Sequence, residues 1–276
     1  MTRVGVSTGV LTDKRDLDTL LAFRPEVVEF YNYPTSALPW IARICSDHGI
    51  QPALHTPVPY DQPEPLRRFA PTGPDPEEVR QARDLALATL RCAAELSALH
   101  VVVHYPSPYP EAHGEIDRAA EADFLAPLAE EADRSGVPLL IENLSAHPTC
   151  RLPEHYEELL ERYPELGFCL DFGHAHDTDS VAGVPRFAQA LGRRIRSCHV
   201  YNTKNDGATP HEPFSRHHRA ADGWLNPRAA VAAVLEHADP PVLILEPRPL
   251  AADEIAAAVA GADWLRELVA AGEDRQ

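Results

Sequence analysis

The chain has 276 residues, 44% of them hydrophobic, enough for one large domain with a sizeable core. Its 25 Lys and Arg against 42 Asp and Glu leave a formal net charge of −17, which repels a phosphate backbone and offers an anionic bilayer nothing. Nucleic acid and membrane partners are therefore set aside. The opening MTRVGVSTGV carries no leader-like apolar core and no later stretch is apolar enough to span a bilayer, so the expected location is the cytoplasm.

In chain order, short apolar and often β-branched runs predict parallel strands at Arg3–Ser7, Val27–Tyr31, Gln51–His55, His100–His104, Pro138–Glu142, Gly167–Asp171, Ile195–His199 and Val242–Glu246. Helical patterns fall between them at Leu17–Phe23, Leu38–His48, Pro76–Ser97, Glu115–Arg134, Pro153–Arg162, Val184–Leu191, Pro227–His237 and Asp253–Ala271. Several begin with proline in the first turn and an acidic residue soon after. Eight βα units in one chain of this length predict an α/β fold of the closed (β/α)₈ TIM-barrel type, a single domain over residues 1–276. A doubly wound sheet is the alternative, but no GxGxxG follows the first strand.

Five cysteines, Cys45, Cys92, Cys150, Cys169 and Cys198, are widely spaced and form no CxxC pair. They suggest neither a disulfide framework nor a thiolate zinc site, and Cys169 and Cys198, in apolar strand-like runs, suit small core residues. The two longest connections, Thr56–Asp75 and Asn202–Gly223, are longer than an idle loop needs to be.

The polar residues concentrate where strands end. The third strand closes on LHTPVPY with His55, the fourth on VVVHYPSP with His104 and the fifth on LLIENLS with Glu142. The sixth closes on CLDFGHAH with Asp171 and His174, the seventh on SCHVYN with His199, and the eighth on LILEPRP with Glu246. This is the face on which barrel enzymes assemble their sites. Carboxylates and imidazoles converging there are poorly solvated unless a cation binds them, and nitrogen and oxygen donors without thiolate suit Zn²⁺, Mn²⁺, Fe²⁺, Co²⁺ or Mg²⁺. Taken singly, His55 or His104 also suits a bond to a neighbouring carbonyl, and Asp171 or Glu142 a helix cap. Gly173 is expected to turn the chain away from Asp171. His176 is open between support of a ligand and a plain loop residue, whereas His48, His100, His113, His147, His155 and His237 suit structural or solvated positions.

The ordered series LHTP, VVHYPS, IEN, LDFGHA, CHVYN, SRHH with DG, and LEP resembles the xylose isomerase-like barrel superfamily, which includes sugar isomerases and epimerases and the endonuclease IV group. The resemblance covers nearly the whole chain. It implies that Glu142, Asp171, His199 and Glu246 hold one divalent ion. In the endonuclease group, residues matching His55 and His104 hold a second ion, and residues matching His174 and His217 share a third with an aspartate. Here Ser215 stands at that aspartate's position and Thr203 replaces an Asp common after the seventh strand, so the resemblance weakens at the third ion.

Two reactions follow. In the first, the chain is a metal-dependent sugar or sugar-phosphate (polyol) isomerase or epimerase working through a metal-stabilised enediolate, with Glu142 and Glu246 as acid and base. His174, His55, His104, His217, Arg248 and Trp224 would then contact substrate, although Arg248 equally suits a salt bridge. Tyr31, Tyr33, Tyr60, Tyr105, Tyr201 and Trp224 near strand ends suit either sugar stacking or the core. In the second, the chain is a metal-dependent hydrolase of a small phosphodiester, which His55 and His104 favour. A non-catalytic barrel comes third, because the four implied ligands are all present. The expected partner is a small molecule, the expected setting carbohydrate metabolism, and no organic cofactor is expected.

Overall fold

The computed structural model describes residues 1–61, 69–110, 116, 118–145, 147–204, 206, 209 and 211–273. His113, Glu115 and parts of the two long connections lie outside them. Strands β1 (Arg3–Ser7), β2 (Val27–Tyr31), β3 (Gln51–His55), β4 (Val101–His104), β5 (Leu139–Glu142), β6 (Gly167–Asp171), β7 (Ile195–Val200) and β8 (Val242–Leu245) form a closed barrel in sequence order. Four of them occupy the expected residues and the other four differ by one residue at one end. Among the described residues the helices are α1 (Leu17–Ala22), α2 (Leu38–His48), α3 (Pro76–Glu95), α4 (Arg118–Ser135), α5 (Pro153–Arg162), α6 (Phe172–Asp179), α7 (Gly183–Leu191), α8 (Pro227–His237) and α9 (Ile255–Glu273). None is long and apolar enough to cross a membrane.

The chain falls into two compact units, Met1–Glu29 with Cys169–Gln276, and Phe30–Phe168. In the first, β1 pairs with β8 from Arg3↔Val242 to Val6↔Leu245, and β7 pairs with β8 from Cys198↔Leu243 to Val200↔Leu245. Gly5 has a packing reason to lack a side chain, because a Cβ there would sit 2.5 Å from Ile244 Cδ1 and 2.6 Å from the Val27 carbonyl oxygen. In the second unit β4 pairs with β5 from Val101↔Leu139 to His104↔Glu142, so the last residues of both strands arrive side by side. All five cysteines are buried thiols, as small core residues should be.

Helix starts follow the local chemistry. Asp16, Asp75 and Asn226 each accept a backbone N–H of the first turn, from Thr19, Glu77 and Ala229 respectively, and proline opens α3, α5 and α8. The element that sequence reading missed is α6. Its eight residues, FGHAHDTD, show no apolar stripe, and what starts it is Asp171, whose carboxylate accepts the His174 N–H at 2.7 Å.

Gly173 therefore does not form the expected turn but lies inside α6. A Cβ at that position would fall 2.3 Å from the Tyr201 ring, so the glycine leaves room for an aromatic side chain.

Candidate metal centre

In the Met1–Glu29 and Cys169–Gln276 unit, four ionisable groups come together, Glu29 from the middle of β2 and Asp171, His199 and Glu246 from at or near the ends of β6, β7 and β8. His199 and Glu29 are fully buried, and His199 Nε2 lies 3.0 Å from Glu29 Oε1. An ionised carboxylate only accepts, so a ring with one proton donates to Glu29 from Nε2 or to the carboxylates on its other side from Nδ1, but not to both. Nδ1 faces Glu246 Oε2 at 3.1 Å and Asp171 Oδ2 at 3.9 Å. One ligand atom from each of Asp171, His199 and Glu246 lies within 4.8 Å of the others.

A lone pair and two carboxylate oxygens facing one another in a buried place repel unless the imidazole takes a second proton or a cation lies among them. An imidazole nitrogen and two carboxylate oxygens are a donor set of the kind that fits a divalent ion. Glu29 plays the part of the carboxylate that orients a metal-binding imidazole from behind.

Asp171 has its two oxygens assigned differently. Oδ1 accepts the Tyr201 hydroxyl at 2.8 Å as well as the His174 N–H, while Oδ2 faces His199. The Tyr201 ring stacks on His211 with centroids 3.7 Å apart, and His211 Nδ1 lies 3.3 Å from the Glu246 carbonyl oxygen. His174 stands at the first turn of α6, with Nδ1 3.5 Å from Asp171 Oδ1 and its ring 6.0 Å from that of His211. Lys14, half-buried on the loop after β1, donates to the Thr8 carbonyl at 3.1 Å. Burial lowers its pKa, and the negative charge of Glu246 only partly counters this.

The Phe30–Phe168 unit holds a second set. His55 Nε2 and His104 Nε2 lie 3.1 Å and 3.0 Å from the same oxygen, Glu142 Oε2. The His55 Nδ1 atom is 3.1 Å from the Thr56 carbonyl, which can only accept. Ligand atoms of the three residues lie within 4.8 Å of one another. Just beyond Glu142, the Leu144 N–H donates to the Tyr156 hydroxyl at 3.0 Å, and that hydroxyl donates to the Cys150 carbonyl at 3.3 Å.

The remaining candidates are placed less centrally. Arg248 makes two contacts with Glu212, at 3.1 and 3.0 Å, and two with Glu254, at 2.9 and 2.7 Å. Of the two roles open to it, this geometry is that of the salt bridge, and it holds the partly buried Glu254 carboxyl down to about 2. His217 is exposed, its N–H donating to Ser215 Oγ at 3.2 Å. The Trp224 ring stacks on His218 at 3.9 Å and has the Lys204 ammonium 4.9 Å from its centroid.

His176 is buried with Nε2 3.4 Å from the Gly223 carbonyl, which ties α6 to the long loop after β7. Tyr105 belongs to the core, stacked on Phe124 at 5.8 Å. Glu29 is the member of the His199 cluster that the sequence did not single out. A carboxylate in the middle of the apolar VVEFY strand was the available signal, since such a residue is buried only with a partner.

A closed (β/α)₈ barrel whose strands end in imidazoles and carboxylates defines a class of protein. Residues 23–268 match the family model described as xylose isomerase-like TIM barrel, and the chain belongs to that family. Among solved structures it is similar to a D-tagatose 3-epimerase-like protein, with 17% identity, a TM-score of 0.75 and 99% of each chain covered. It is also similar to an L-ribulose 3-epimerase, with 16% identity, a TM-score of 0.76, and 100% of this chain and 97% of that one covered. A protein from Thermus thermophilus soaked with ZnCl2 gives 24% identity, a TM-score of 0.69, and coverage of 98% and 99%. At these identities the likeness is one of fold. No curated protein matches the chain.

Proposed function

We propose that the chain is a divalent-metal-dependent sugar or sugar-phosphate (polyol) isomerase or epimerase. Asp171, His199 and Glu246, together with Glu142, are its metal ligands, and Glu142 and Glu246 also serve as the acid and base. The observation that carries this reading is the buried His199 ring set between carboxylates, with Nε2 3.0 Å from Glu29 Oε1 and Nδ1 3.1 Å from Glu246 Oε2. Family membership and the epimerases among its structural relatives support it.

A bound divalent cation supplies Lewis acidity toward a substrate carbonyl and offsets charge developing on neighbouring oxygens. The chain's own residues do the rest. Glu29 holds the His199 ring. Tyr201 and the His174 N–H occupy Asp171 Oδ1, which leaves Oδ2 for the ion. Glu246 and Glu142 remove and return the proton on a carbon next to the carbonyl, the step that inverts a hydroxyl-bearing centre or moves the carbonyl. His174, a partly exposed imidazole one helical turn from Asp171, orients a substrate hydroxyl, while His55, His104, His217 and Trp224 contribute further substrate contacts.

The test is metal analysis of the purified protein combined with solvent deuterium exchange. One divalent ion per chain, with deuterium entering the carbon beside a ketose carbonyl, supports the proposal. A metal-free protein in which Glu142→Gln leaves every exchange activity unchanged sinks it.

One observation favours a second reading, hydrolysis of a small phosphodiester. His55, His104 and Glu142 form a set of their own that suits a second ion. Two ions per chain and release of a phosphomonoester from a model diester would select it over the first.

A further inference from the structure

His211, on the long loop after β7, lays its ring flat on that of Tyr201, with centroids 3.7 Å apart and planes 8° from parallel. The backbone brings the two together. Asn202 and Glu212, the residues just after them, exchange two backbone hydrogen bonds at 2.8 Å in an isolated antiparallel bridge. That pairing puts Tyr201 and His211 on one face as diagonal neighbours, within reach of ring side chains.

The imidazole is fastened to the segment that leaves β8. Its Nδ1 lies 3.3 Å from the Glu246 carbonyl, which only accepts, so Nδ1 carries a proton and donates. The His211 carbonyl accepts the Arg248 N–H at 2.7 Å, and the Arg248 guanidinium holds the neighbouring Glu212 at 3.1 and 3.0 Å. His211 is therefore held through its ring, its backbone and the next residue.

Tyr201 is confined between this ring and α6. A tyrosine turns about two side-chain bonds, so a hydroxyl meant for one oxygen of Asp171 has other rotamers open to it unless walls remove them. Gly173 leaves room for the hydroxyl end, because a Cβ there would fall 2.3 Å from Tyr201 Cε2 and from its oxygen. His211 supplies the wall across the ring face. The hydroxyl then donates to Asp171 Oδ1 at 2.8 Å, and Asp171 Oδ2 is the oxygen turned toward His199, at 3.9 Å.

We infer that His211 is a positioning residue, which keeps the Tyr201 hydroxyl on Asp171 Oδ1 and so keeps Oδ2 presented for a cation. The inference rests on the metal reading of Asp171, His199 and Glu246. A donor set that is already ordered binds more tightly, because little conformational freedom is left to lose when the ion arrives.

Two variants separate the ring from its fastening. His211→Asn keeps a donor for the Glu246 carbonyl but has no ring to stack, whereas His211→Phe keeps a flat ring without the donor. The first measurement needs no metal. In protein labelled with ¹³C at tyrosine Cζ, the Tyr201 signal is picked out from the eight tyrosines by its absence in Tyr201→Phe. His211→Asn shifts or broadens this signal in the metal-free protein, and His211→Phe keeps it a single sharp line. A Tyr201 signal identical in wild type and His211→Asn overturns the assignment.

The second measurement is zinc affinity by competition with a chromogenic chelator. His211→Asn lowers it about five- to tenfold, and His211→Phe recovers it to within about threefold of wild type. Adding His211→Asn to Tyr201→Phe costs less than about twofold more, because both changes act through one hydroxyl. Wild-type affinity in His211→Asn, or a double variant in which the two losses multiply, overturns the positioning role. If wild type holds no zinc, the metal reading falls, and the tyrosine signal still decides whether His211 fixes Tyr201.

Discussion

Two imidazole and carboxylate sets, one in each compact unit, are built on the same plan and differ in what stands behind the imidazole. Behind His199 is a fully buried carboxylate, Glu29, and the ring itself is fully buried. Behind His55 is the neutral carbonyl of Thr56, and its companion His104 is 26% exposed. A charged orienting partner makes the ring a stronger donor, and complete burial removes water as a competitor. If both sets bind a cation, as proposed, the His199 set should be the stronger site and the His55 set the weaker.

The largest effect expected from that ranking is on His199. His199→Ala removes a ligand and should lower affinity for zinc by more than about 100-fold, beyond the cost of losing an orienting partner. Competition with a chromogenic chelator measures it, and a variant that retains wild-type affinity would put the strong site elsewhere. Glu29→Gln is the next step down. It keeps the shape of the side chain but removes the charge behind His199, and affinity should fall about 10- to 100-fold. A change of less than about twofold would mean that the carboxylate supports folding and not the metal.

Tyr201→Phe comes third and probes Asp171. Loss of the hydroxyl at 2.8 Å frees Oδ1 to compete with Oδ2, and affinity should drop by about tenfold, with a stability loss of about 1 kcal/mol from the missing hydrogen bond. A thermal melt of the metal-free variant separates the two contributions. Unchanged affinity with lowered stability would reduce Tyr201 to a packing residue.

The barrel was legible because parallel strands covered on both faces read as apolar runs, and each strand was placed to within one residue. The candidate ligands at strand ends could be picked out for the same reason, since Asp171 and Glu142 close apolar runs whose ends were already located. What escaped depended on partners far away in sequence. Glu29 and His199 are 170 residues apart, and no local pattern announces that one orients the other. Gly173 was misread because a glycine after a strand suggests a turn, whereas its reason is the Tyr201 ring 28 positions later in the chain. Helix α6 was missed because its start depends on one carboxylate cap rather than on an apolar stripe.

The smallest expected effect belongs to the weaker set and tests whether it binds an ion at all. His104 reaches Glu142 Oε2 at 3.0 Å, an oxygen that His55 also approaches at 3.1 Å, so its removal leaves one imidazole and the carboxylate in place. Because the ring is partly exposed, water fills the space that His104→Ala creates at little cost to the fold. If a second zinc binds there, its affinity should fall by about 10-fold while the tightly held equivalent keeps its affinity, which a titration resolving two classes of site will show. Loss of the tight class instead would invert the ranking of the two sets. A titration with one class only, identical in wild type and variant, would leave His104 to the substrate, as a single-ion isomerase requires.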